Sequence, residues 1–100
     1  MKIVVGVIRS TALERTVKDL AKIDIKNLTI TEVKGIGEQI DPFTSIADHK
    51  VLLSIVPDEK ADGVAQVILN AARTGFAGDG IIVVCPVDYM IKIRTSEREG

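Results

Sequence analysis

Residues 2–9, Lys2-Ile3-Val4-Val5-Gly6-Val7-Ile8-Arg9, are a nearly unbroken run of apolar, mostly β-branched side chains and predict a buried strand. The period then changes. Thr11 followed three residues later by Glu14 has the form of a capping box. Behind it Leu13, Val17, Leu20 and Ala21 make one helical stripe, with Glu14, Arg15, Lys18 and Asp19 off it. Residues 24–27 close this helix. Leu28 to Lys34 alternates apolar and polar positions at period two, as a strand with one wet face does. Its expected partner is the run Lys50 to Val56, reached through a polar loop from Gly35 to His49. Pro57-Asp58-Glu59 opens a second helix, with Asp58 as the expected N-cap and Ala61, Val64, Ala65, Ile68 and Ala72 as its buried stripe. Gly63 inside it costs about 1 kcal/mol relative to alanine, which predicts close packing at that point. Ile81 to Cys85 is a further apolar strand, stopped by Pro86. Val87 to Ile93 fits either a short edge strand or a single helical turn, and the charged residues 95–100 are expected to fray.

The order is therefore β-α-β-β-α-β. That is the α+β, ferredoxin-like sandwich: a four-stranded antiparallel sheet with two helices on one face. The other face keeps many apolar residues, and an open apolar face of that size predicts an oligomer. With 100 residues and 46% hydrophobic content, the whole of 1–100 is expected to be one domain.

Charge and chemistry narrow the classes. Thirteen basic and fourteen acidic residues give a net charge of −1, which supplies no bulk attraction for nucleic acid or a membrane surface. The aromatics are Phe43, Phe76 and Tyr89, too few for a base-stacking platform. The apolar run at the start is too short to span a bilayer or to act as a signal segment. The single cysteine, Cys85, forms no internal disulfide, which suits a cytoplasmic protein, and it reads as a buried small hydrophobe. No Ser-His-Asp set or paired carboxylates stand out, so nothing points to an enzyme.

The stretch Thr74-Gly75-Phe76-Ala77-Gly78-Asp79-Gly80 carries three glycines in six residues between a helix and a strand. Such a loop can present backbone N–H groups to a phosphate or carboxylate. It can equally be a helix C-cap followed by a turn. Asp79 reads more simply as a cap for the loop than as a catalytic group. The lone histidine, His49, reads as a loop-edge or exposed residue, and Lys92, Arg94 and Arg98 as either ligands or a solvated tail.

Three segments change the balance. Thr29-x-Thr31-Glu32-Val33-Lys34-Gly35-Ile36-Gly37-x-Gln39 resembles the strand entering the T-loop of the PII signalling proteins. Ala72-Arg73-Thr74-Gly75-x-x-Gly78-Asp79-Gly80-Ile81-Ile82-Val83 resembles their B-loop with its flanks, and Pro86-Val87 followed by Lys92-Ile93-Arg94-Thr95-x-Glu97 resembles their C-loop. The resemblance runs from Ile3 to about Glu97, with the T-loop at about 37–48, the B-loop at about 74–81 and the C-loop at about 92–98. It implies a homotrimer that binds ATP or ADP, with AMP a further candidate, in clefts between subunits. The residues it assigns to the nucleotide are Thr29, Gly35, Ile36, Gly37, Gln39, Ile55, Gly78, Asp79, Gly80, Lys92 and Arg94. It further implies a T-loop, here with Glu38, Ile40, Asp41, Phe43 and Ser45, that docks on a transporter or metabolic enzyme of nitrogen or carbon metabolism.

The departures from that pattern are specific. Ile81 stands where most members have a phosphate-binding lysine, Glu38 replaces an arginine, and Lys92 keeps a charge but loses the bidentate fork. Each charge-assisted bond is worth about 1.5–3 kcal/mol, so losing two weakens affinity by roughly two to four decades. The expected preference moves toward ADP or AMP and away from Mg-ATP. The T-loop is about nine residues shorter than usual by the count back from Pro57, and at roughly 3.3–3.6 Å per residue it cannot plug a channel as an extended finger. It has no tyrosine to be uridylylated, since the only one is Tyr89. Gln39, the Mg-side residue for 2-oxoglutarate, is kept, whereas the partner lysine would align near His49; whether Mg and 2-oxoglutarate bind stays open on these residues. The alternatives are a PII-fold trimer that has lost nucleotide sensing, or a CutA-like metal-tolerance protein, whose aromatic sheet and metal ligands are not seen in this chain.

Overall fold

A computed structural model describes residues 1–35 and 47–100, the side chains of 33–35, 47 and 48 excepted. The elements follow the expected order: β1 (Lys2–Arg9), α1 (Leu13–Lys22), β2 (Thr29–Gly35), β3 (Ala47–Val56), α2 (Asp58–Ala72) and β4 (Gly80–Pro86), then a small hairpin of β5 (Met90–Ile91) and β6 (Arg98–Glu99). The main sheet is antiparallel, in the order β2-β3-β1-β4. Two helices and this sheet make the α+β ferredoxin-like fold expected from the pattern.

Alternation decides which sheet face meets the helices. Val4, Ile8, Leu52 and Val56 point inward and pack with Leu20, Ala61, Val64 and Ile68 into one core. Gly6 lies in the same row because a Cβ there would meet Ile68 at 3.3 Å. The opposite face lines up Ile3 with Ile55 and Cys85, Val5 with Leu53 and Val83, and Val7 with Val51 and Ile81. Ile55, Ile81, Val83 and Cys85 on it are exposed in the single chain. Cys85 is thus not the buried residue its apolar surroundings suggest, because β4 is an edge strand and no helix covers this face.

Several local expectations are corrected. A 3-10 turn, Ser10–Ala12, takes the place of the capping box, α1 starts after Ala12 with no side-chain cap, and Glu14 pairs forward with Lys18 at 3.2 Å. The buried face of α1 is rotated accordingly: Thr16, bonded to the Ala12 carbonyl at 2.8 Å, and Leu20 are buried while Ala21 is exposed. Pro57, not Asp58, caps α2, and the Asp58 carboxylate meets the amino group of Met1. Gly63 has open space around it, so close packing does not explain it. Strand β3 begins three residues before Lys50, at Ala47, and the charged tail pairs back on β5 through Arg98 and Glu99.

Candidate functional site

The loop between α2 and β4 stands at the end of the sheet where Arg9 pairs with His49 and Ile8 with Gly80. Arg15 of α1 donates to the Ala71 carbonyl at 2.6 Å and so fixes the last turn of α2. From there the backbone turns through glycines with positive φ: Gly75 at 90°, Gly78 at 98° and Gly80 at 107°. Only glycine visits this region freely. At Gly80 space is equally decisive, since a Cβ would lie 1.7 Å from the Val7 carbonyl oxygen.

Asp79 ties this loop together. Its carboxylate accepts from the amides of Thr74 and Gly75, both at 2.8 Å, from the Thr74 hydroxyl, and from Arg9 Nε at 3.4 Å. Partial desolvation pushes the acid up. The hydrogen bonds from Thr74, Gly75 and Arg9 outweigh it and lower the pKa to about 2. Asp79 is therefore an ionised internal anchor, as its loop-capping reading suggested, although it works on Thr74 and Gly75 and not on its own amide. Phe76 N–H donates to the Thr74 hydroxyl at 3.2 Å. The amides of Gly78 and Asp79 stay outside this knot and meet no acceptor among the described residues. Adjacent unpaired N–H groups of this kind fit an anionic ligand.

Two residues of this end were not among the sequence candidates. Arg9 reaches both the Ala77 carbonyl and Asp79. His49, expected at a loop edge, is 2% exposed, and its Nε2 lies 2.9 Å from the Gly78 carbonyl. The reason is the longer β3, which carries His49 into register with Arg9. The alternation of Ile55, Leu53 and Val51 with Ile3, Val5 and Val7 continues to His49 and Arg9 on the open sheet face, and nothing in it signals that both turn onto the loop.

The structure splits the remaining candidates into two groups. Gly35, at the end of β2, pairs with Ala47 near the same end of the sheet, and Thr29 and Ile55 lie further down it. Ile36, Gly37, Glu38, Gln39, Ile40, Asp41, Phe43 and Ser45 lie outside the described residues. Lys92 and Arg94 stand elsewhere: their hairpin follows Pro86, which pairs with Lys2 at the far end of β1, and Val87 N–H bonds to the Met1 carbonyl at 3.1 Å. A cleft of about 460 Å³ there is lined by Met1, Ile55, Pro57, Met90 and Glu99. The turn is closed by Lys92 N–H to the Glu97 carbonyl and Ser96 N–H to the Lys92 carbonyl, both 2.8 Å. Lys92 pairs with Glu99 at 3.0 Å, while Arg94 has no partner among the described residues. An eight-residue strand at about 3.4 Å per residue separates the two ends. A second cleft of about 650 Å³ runs between α2 and β4 to Asp79 and Gly80, and neither Lys92 nor Arg94 lines it.

Among the described residues no helix is long and apolar enough to cross a membrane, and no group of three or more His, Cys, Asp or Glu is placed to hold a metal. Comparison with known proteins gives a consistent result. The family model described as nitrogen regulatory protein P-II matches residues 1–97. The chain is 33% identical to the nitrogen regulatory protein P-II of Rhizobium etli, covering 100% of this chain and 97% of that protein. It is 35% identical to the protein of the same name from Synechocystis, over 99% and 96% of the two chains. It is 33% identical to the nitrogen regulatory protein GlnK of Escherichia coli, again over 99% and 96%. The first alignment runs to 109 positions against 100 residues, so nine positions of it face a gap in this chain.

Proposed function

This chain belongs to the nitrogen regulatory protein P-II family, and from that we propose that it is a regulator, not an enzyme, that binds adenine nucleotides between subunits and signals through the loop at about 37–48. The observation that carries this reading is the division of the anion-binding set. Gly78, Asp79 and Gly80 lie at one end of the sheet and Lys92 and Arg94 at the other, so one chain cannot close on a ligand by itself. A second copy that brings its hairpin to the first copy's loop completes the set. The open face of Ile55, Ile81 and Val83 gives such an assembly its apolar surface, and a homotrimer is the arrangement proposed.

The loop supplies amides and the hairpin supplies cations, and this combination suits a nucleoside polyphosphate. The cations are few. Ile81 contributes none, and Lys92 is already paired with Glu99. This favours ADP, with AMP behind it, over Mg-ATP. Thr29 and Ile55 would line the base side together with Gly35 to Gln39. Mg and 2-oxoglutarate would require Gln39. The target is a transporter or a metabolic enzyme of nitrogen metabolism, with carbon metabolism the second choice, contacted through Glu38, Ile40, Asp41, Phe43 and Ser45 from the cytoplasm.

Calorimetric titration with ATP, ADP and AMP, each with and without Mg and 2-oxoglutarate, tests the reading. Saturable binding of ADP at one site per chain is expected. No heat with any nucleotide at high micromolar concentration would leave a PII-fold assembly without nucleotide sensing.

A further inference from the structure

Arg9 and His49 belong to neighbouring strands and are paired in register, and both donate to consecutive carbonyls of the same loop. Arg9 Nη2 takes the Ala77 carbonyl, and His49 Nε2 takes the Gly78 carbonyl at 2.9 Å. A carbonyl oxygen can only accept, so Nε2 carries a proton, and in the neutral ring Nδ1 is then the bare nitrogen. Nδ1 is buried and has no partner among the described residues.

The consequence follows from peptide geometry. A carbonyl and the N–H of the next residue share one plane and, in a trans peptide, point in opposite directions. Among the described residues no cis peptide bond is present. The Ala77 carbonyl turned toward Arg9 therefore directs the Gly78 N–H away from Arg9. The Gly78 carbonyl turned toward His49 directs the Asp79 N–H away from the imidazole. Both belong, with the Ala77 amide, to the three consecutive loop amides that meet no acceptor among the described residues; the two that follow a clamped carbonyl are those of Gly78 and Asp79. We propose that Arg9 and His49 are positioning residues of the anion site: they draw two carbonyls onto the ends of β1 and β3 and thereby aim the amides of Gly78 and Asp79 at a bound phosphate. The proposal rests on the nucleotide reading for its ligand, but the orientation of the amides does not depend on it.

The test uses the full chain, with ADP as the probe. In His49→Leu the affinity for ADP is expected to fall about tenfold, the effect of one hydrogen bond lost from the loop. His49→Gln, whose carboxamide N–H can still donate to the Gly78 carbonyl, is expected to recover most of it. ADP affinity unchanged in folded His49→Leu overturns the proposal, and so does a folded His49→Gln that binds no better than His49→Leu, since that outcome marks a packing role. Should both variants fail to fold, the comparison moves to Arg9→Lys, which keeps one donor, against Arg9→Met, and a folded Arg9→Met with wild-type affinity is equally decisive. If the wild type takes up no ADP, the nucleotide reading falls alone. The clamp is then decided by the imidazole nitrogens in the NMR spectrum, expected with Nε2 protonated and Nδ1 bare, and overturned by the opposite tautomer.

Discussion

At the Arg9 end of the sheet a loop is held by several hydrogen bonds converging on one carboxylate and by a buried imidazole; at the Met1 end a hairpin is held by pairs that stand half in solvent. His49 is 2% exposed, the Asp79 carboxylate 17%, and Gly78 is buried. In the hairpin, Lys92 and Glu99 are 52% and 48% exposed, Arg98 rests on the Tyr89 ring at 4.3 Å, and Ile93 is 96% exposed. An exposed ion pair contributes only about 0.2–1 kcal/mol. Hydrogen bonds to a charged group contribute about 1.5–3 kcal/mol each, and Asp79 accepts several of them. The loop is thus built in advance of any ligand, whereas the hairpin has loose internal contacts and an apolar side chain that nothing in its own chain covers. In the assembly proposed above, the first would serve as a fixed receptor and the second as an arm whose final position the neighbour sets.

The contrast can be broken most strongly at Gly80. Gly80→Ala puts a Cβ against the Val7 carbonyl at a φ of 107°, and about 3 kcal/mol or more of stability is expected to be lost in a urea titration. A loss below about 1 kcal/mol would mean that the β1–β4 end gives way easily and is not a rigid receptor.

Asp79 comes next. Its pKa is lowered in the folded chain to about 2 from a reference of 3.8, so its contribution is fully present above that reference and disappears as pH falls toward the folded value. Asp79→Asn is expected to cost about 1–2 kcal/mol at neutral pH, the lower part of the range because the carboxylate is not fully shielded. The gap between variant and wild type should narrow between pH 4 and 2, roughly the window set by the two pKa values. Denaturant midpoints across that range check it, and a constant gap would mean that Asp79 acts through shape and not through charge.

Much of this architecture was readable along the chain, and the exceptions share a cause. Apolar runs placed β1, β3 and β4, the period-two alternation placed β2, and the apolar stripe of α2 fell on Ala61, Val64 and Ile68. These patterns are local, and burial on one face imposes them. The roles of Arg9 and His49 depend on which strand ends lie beside the loop at 73–79, a pairing across 29 residues for His49 and about 70 for Arg9. No local period encodes that. The capping box at Thr11 failed because a 3-10 turn came first, and Glu14 found Lys18 instead. The pairing of Arg98 and Glu99 with Met90 and Ile91 was hidden because the tail reads as charged and structureless. Asp79 was legible as a loop anchor. The division of the cations from the amides needed the topology.

At the hairpin the effects should fall on ligand affinity and hardly on stability. Arg94→Ala removes a side chain with no partner among the described residues, so the urea midpoint should stay unchanged while ADP affinity falls about tenfold to a hundredfold, the range for one charge-assisted bond. A shifted midpoint with intact affinity would reverse the roles given to the two ends. The smallest effect belongs to Ser96, which holds a φ of 60°. Ser96→Gly is expected to gain about 0.5–1 kcal/mol from relief of the left-handed conformation, offset in part by unfolded-state entropy. The urea midpoint is again the measure.

If the loop of one copy and the hairpin of another make one site, mixing subunits will reveal it. Asp79→Asn chains have a damaged loop and a sound hairpin; Arg94→Ala chains have the reverse. When the two are unfolded together and refolded as mixed assemblies, some interfaces pair a sound loop with a sound hairpin. ADP binding at near wild-type affinity should then reappear in a fraction of the sites, although neither variant alone shows it. If the mixture binds no better than the two variants measured separately, the site lies within one chain and the account is wrong.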